Sequence, residues 1–109
     1  QADMAEQELA QKRVRIEADA WRTASELEQA RHTREQLQRA QAQIERSAQL
    51  QARAYTLGES PLVDLLLARR NALEAQLAAD SAALDEQQSY ARLLLDSHSL
   101  WAAPGAHGH

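Results

Sequence analysis

The stretch Ala54–Arg70, AYTLGESPLVDLLLARR, decides the fold. Upstream of it lies a run with no glycine and no proline, from about Ala5 to Leu57. Downstream lies a second long run of helix formers. Between them sits one break, Gly58-Glu59-Ser60-Pro61. Each residue of the break has a local meaning. Gly58 suits the left-handed conformation that ends a helix. Ser60 is a good N-cap, its hydroxyl accepting from a free N–H of the next first turn. Pro61 opens the following helix, where its missing N–H costs nothing. Two long helices joined by so short a turn must run antiparallel. The expected fold is therefore all-α, a long antiparallel helical hairpin with coiled-coil character. Its parts are a descending helix over 1–57, a tip turn over 58–61, a returning helix over 62–101 and a disordered tail over 102–109.

Composition agrees with a hairpin better than with a globule. The chain has 109 residues and is 44% hydrophobic, yet it has no phenylalanine and only 4% aromatic residues. Alanine, leucine, glutamine, glutamate and arginine dominate, and these are strong helix formers. The upstream run would reach ~80 Å at ~1.5 Å per residue. A heptad register runs through it: Leu9, Ile16, Thr23, Ala30, Leu37, Ile44, Gln51. Its companion is Arg13, Ala20, Leu27, Arg34, Gln41, Ala48, Tyr55, apolar only in part. Such interruptions disfavour a two-stranded zipper and fit a helix with further neighbours. In the returning helix the apolar positions are read as Leu66, Leu73, Leu77, Leu84, Ala91 and Leu94.

Several function classes lose support at once. The net charge is −4 with no sustained basic face, so no nucleic-acid partner is expected. The absence of cysteine removes disulfide, thiol and Cys-zinc chemistry. No apolar run approaches the ~20 residues that span a bilayer. QADMAEQELAQ has neither the basic nor the apolar region of a signal peptide. The chain is read as a fragment of a larger protein.

Residues that carry chemistry elsewhere have plainer readings here. His98, His107 and His109 match no zinc spacing, and the tail histidines read as a frayed end. Asp96 and His98, with Ser97 and Ser99, lie too close in sequence to share a helical face. No nucleophile elbow or glycine-rich loop is present, so neither enzymatic activity nor a cofactor is expected. Lys12–Arg15, KRVR, reads as a solvated face. Trp21 and Trp101 read as packing residues in preference to membrane-interface anchors. Asp64 falls in the first turn of the returning helix, where a carboxylate complements the helix dipole. In a ring of identical hairpins such carboxylates would gather at one end, where they could bind cations or hold an opening shut. Exposed leucines beside it mark a docking site.

The segment from Ala54 to Leu100 resembles the second helical hairpin of the TolC-like outer-membrane efflux proteins. A Tyr-x-x-Gly turn is followed by a hydrophobic–Asp–Leu-Leu run and then by Ala/Arg-rich helix with leucine spacing. Tyr55, Gly58, Ser60, Leu62, Asp64, Leu65, Leu66 and Ala68 carry the likeness. The upstream helix, with Ile16, Ala20, Trp21 and Leu37, looks like the descending arm, so the likeness covers roughly residues 8–101. The heavy-metal-efflux branch is the most similar in character. The resemblance implies a homotrimer whose hairpins build a duct across the periplasm, continued by a β-barrel in the outer membrane. The duct would dock a periplasmic adaptor at its tips and be fed by an inner-membrane pump. Tyr55, Gly58, Ser60, Leu62 and Leu65 would form the docking tip, and Asp64 would lie at the entrance. This chain would contact the membrane only through a barrel it does not contain. Some members carry a base near position 60 and a second acid near 67, where this chain has Ser60 and Leu67. The same ionic gate is therefore not implied. Two other readings are the hairpin of a periplasmic adaptor, whose flanking β segments are not visible here, and a generic self-associating coiled coil.

Overall fold

The computed structural model describes residues 2–101, with the side chains of residues 3–98. Helix α1 spans Ala2–Thr56 and helix α2 spans Leu62–Trp101. They form the expected all-α helical hairpin, with no strand among the described residues. Local chemistry favours both helices. Along α1 only strong or neutral helix formers occur, and Glu35 pairs with Arg39 one turn on at 3.7 Å, the favourable order along a helix. In α2 Arg70 pairs with Glu74 at 3.1 Å. The expected tail over 102–109, with His107 and His109, and the side chain of Trp101 lie outside the described residues.

The turn closes α1 by a Schellman arrangement. Gly58 takes φ 73°, the left-handed conformation expected of it. Its N–H donates to the Tyr55 carbonyl at 3.0 Å, and the Glu59 N–H donates to the Ala54 carbonyl at 2.8 Å. These two bonds satisfy carbonyls that a helix end otherwise leaves open. The entry to α2 differs from the expectation. The Ser60 hydroxyl does not cap the helix; it accepts a 2.7 Å bond from the Gln51 side-chain amide. The Pro61 carbonyl accepts from the Asp64 N–H at 3.2 Å, starting the helix at Leu62. The serine thus fastens the turn to the last turns of α1.

The molecule divides into two compact units. One comprises residues 30–85 and holds the turn. Within it α1 turns Ala30, Arg34, Leu37, Gln41, Ile44, Ala48 and Gln51 inward. From α2 it receives Leu65, Ala68, Ala72, Ala75, Ala79 and Ala82. Ala48, Ala72, Ala79 and Ala82 are buried. The other unit comprises 1–29 and 86–109. There Ile16, Ala20, Thr23 and Leu27 face Glu86, Ser89, Leu93 and Asp96.

The α1 seam is thus the heptad register read from the sequence, over Ile16–Gln51. Its outlying members Leu9, Arg13 and Tyr55 are exposed. The α2 seam is not the expected one. Leu66, Leu73, Leu77, Leu84, Ala91 and Leu94 are all exposed. The buried positions from Leu65 to Asp96 instead recur at steps of three and four, and alanine fills half of them, all in the turn unit. Alanine lets two helix backbones approach toward the short end of the 8–10 Å range, and a leucine at the same place would hold them apart. Trp21 does not pack either, being 78% exposed.

Polar contacts tie each unit internally. In the unit of the termini Thr23 is buried, and its hydroxyl reaches both the Asp19 carbonyl at 2.8 Å and the Asp96 carboxylate of α2. With one proton it donates to one of the two at a time. Arg92 donates to Glu26 across the same unit at 3.1 Å. In the turn unit Arg69 lies 4.0 Å from Glu45. No buried side-chain nitrogen or oxygen lacks a partner among the described residues.

Candidate functional site

The turn unit brings the six residues singled out in the sequence to one end of the hairpin. The Schellman closure bends the chain at Gly58, and α2 leaves directly from Pro61. Tyr55, Gly58, Leu62 and Asp64 are exposed there, whereas Ser60 and Leu65 are half-buried. Leu65 belongs to the seam, and Ser60 is engaged by Gln51. The surface at this end is strongly apolar. Leu57, Leu62, Val63, Leu66 and Leu67 are all about half exposed or more. Five such side chains within eleven residues form a concentrated patch, and patches of this kind mark interaction sites.

Asp64 stands within that apolar surface. It lies in the first turn of α2, where the helix dipole favours its negative charge. Among the described residues its carboxylate has no ion-pair partner. A carboxylate without an ion-pair partner beside exposed leucines is suited to a basic group brought by a partner. Leu67, three residues on, would supply apolar contact beside such a pair.

No three His, Asp or Glu side chains gather as metal ligands among the described residues. Asp96 is bound to Thr23, and His98 is exposed. Two open depressions lie along α1. One is lined by Glu17, Ala20, Trp21 and Ala24, another by Ala10, Gln11, Val14 and Arg15. Each lies between side chains of a single helix. Among the described residues no helix is long and apolar enough to cross a membrane.

The tip residues were accessible from the sequence because the turn signals are strong. The second apolar surface was not. Leu66, Leu73, Leu77 and Leu84, read in the sequence as apolar positions of the returning helix, form an outward face of α2. The signal that separates the two is the alanine series at three-four spacing, which is easily overlooked in a chain so rich in alanine. No protein-family model, no curated protein and no solved structure matches this chain.

Proposed function

We propose that this hairpin is a wall and docking element of a TolC-like outer-membrane efflux duct. The observation that carries the reading is the placement of apolar surface. In the turn unit α2 closes on α1 largely through alanine, so most of its large apolar side chains are left for neighbours, along α2 and at the tip. A duct wall needs both: lateral surface for adjoining hairpins, and a tip for an adaptor. In a homotrimer the Asp64 carboxylates would ring the entrance on the periplasmic side. Tyr55, Gly58, Ser60, Leu62 and Leu65 would meet the adaptor, and an inner-membrane pump would feed the duct. Cargo would pass without chemical change. Ser60 and Leu67 stand where an ionic gate would need charges, so closure would rest on apolar contact and Asp64.

A second reading has its own support. The outward leucines of α2, Leu66, Leu73, Leu77 and Leu84, recur at heptad spacing, the pattern of a self-associating coiled coil, which would need no adaptor or pump. The two are separated by experiment on the native polypeptide that contains this sequence. The duct reading expects it in the outer-membrane fraction, with a cysteine at Leu62 cross-linking to the adaptor. Ser60→Lys with Asp64→Lys should weaken that docking and export while helicity stays unchanged. Recovery of the native polypeptide only in soluble fractions, or unaltered export by the double variant, would refute it.

A further inference from the structure

We infer that the outward face of α2 pairs with a second copy of this chain, antiparallel, about a two-fold axis between Leu73 and Leu77. The face lies wholly within the turn unit. At about 100° per residue, Leu66, Leu73, Leu77 and Leu84 fall in an arc of about 40°, roughly 150° around the helix from the alanine seam. They are 58%, 57%, 60% and 59% exposed. Helix α1 therefore does not cover them.

The order of residues selects the occupant. Along the face stand Leu66, Arg70, Leu73, Leu77, Asp80 and Leu84, at steps of four, three, four, three and four. Read backwards, the spacing is the same and only the charges exchange. An antiparallel second copy therefore sets Leu66 against Leu84, Leu73 against Leu77, and Arg70 against Asp80, each pairing occurring twice. The a-against-d layering of an antiparallel coiled coil follows directly from these steps. A parallel copy would instead stack Arg70 on Arg70 and Asp80 on Asp80, opposing like charges. Asp80 has no ion-pair partner among the described residues. Arg70 holds only an exposed contact to Glu74, the kind of pair that yields readily. Eight half-exposed leucines and the stems between them would remove on the order of 1,000 Å² in total, the lower bound for a specific interface.

The pair uses the face that the duct reading leaves for adjoining hairpins. A ring of like-oriented hairpins contains no such two-fold axis, so the pair describes what this chain forms by itself. Sedimentation equilibrium of the whole chain over micromolar to millimolar concentrations tests it. The expected limit is twice the 12.2 kDa chain mass. Arg70→Asp or Asp80→Arg alone should weaken pairing at least about tenfold, about 1.4 kcal/mol, and the double exchange should restore it. Chains with Leu66→Cys mixed with chains with Leu84→Cys should give mixed disulfides. A monomer at every concentration, a trimer, a double exchange that fails to restore pairing, or disulfides formed chiefly between Leu66→Cys chains would overturn the inference. None of these results bears on membrane fraction or export, which decide the duct reading.

Discussion

Replacing Ala79 by leucine is expected to destabilise the hairpin although it adds apolar surface. Ala79 is 2% exposed and sits in the α2 seam opposite α1. Three added carbons have no room unless the helices separate, and overpacking of this kind costs about 1–3 kcal/mol. The change in helix propensity adds only about 0.2 kcal/mol. With unfolding entropy near ~2.1 cal/mol/K per residue, a 2 kcal/mol loss lowers Tm by about 9 °C. The companion change is Leu77→Ala on the outward face. Leu77 is 60% exposed. Full burial of a leucine is worth about 1.5–3 kcal/mol, so less than about 1 kcal/mol is at stake in the single chain, partly offset by the better helix propensity of alanine. The assay is urea unfolding followed by far-UV circular dichroism, at concentrations low enough to exclude self-pairing. An Ala79→Leu chain as stable as the parent, or a Leu77→Ala chain weakened by more than about 2 kcal/mol, would mean that the leucines form the seam after all.

Gly58→Ala should cost about 1 kcal/mol in the same assay. No atom lies within 4 Å of where the new Cβ would be, so the cost is that of a left-handed backbone alone; Gly58→Asn should cost less. Thr23→Val removes the donor to Asp96 and should destabilise by about 1–2 kcal/mol, with Thr23→Ser recovering most of it; an unchanged unfolding midpoint would show that the contact carries no weight. Arg92→Ala and Glu26→Ala, separately and together, should yield a coupling energy under about 1 kcal/mol that shrinks with added salt, because both side chains are exposed.

The two helices and their turn were legible in the sequence for a simple reason. Gly58 and Pro61 are backbone constraints, and they act whatever surrounds them. The α1 register was legible because Thr23 keeps seven-residue spacing with Leu37 and Ile44, as Arg34 and Gln41 do with Leu27 and Ala48. The α2 register misled because hydrophobicity ranks leucine above alanine. A close pair of helices selects for size before hydrophobicity, and that choice is invisible until the partner helix is in place. Ser60 shows the same limit at shorter range. Its capping chemistry is sound, but Gln51, nine residues earlier, comes within reach only once the turn has closed and takes the hydroxyl. Trp21 reads as a packing residue by type, yet the helix turns it outward because Ala20 and Thr23 hold the inward positions.

The alanine seam has a consequence for alignment. The row of similar methyl groups on α2 stores little positional information: sliding α2 by a heptad would again present alanine to the α1 seam. What tells the helices where to stop is therefore not their apolar contact. In the turn unit the address is written by the bend at Gly58 and the clasp between Gln51 and Ser60. In the unit of the termini it is written by Thr23 on Asp96 and Arg92 on Glu26. A few polar atoms thus encode the alignment that the seam itself leaves unspecified.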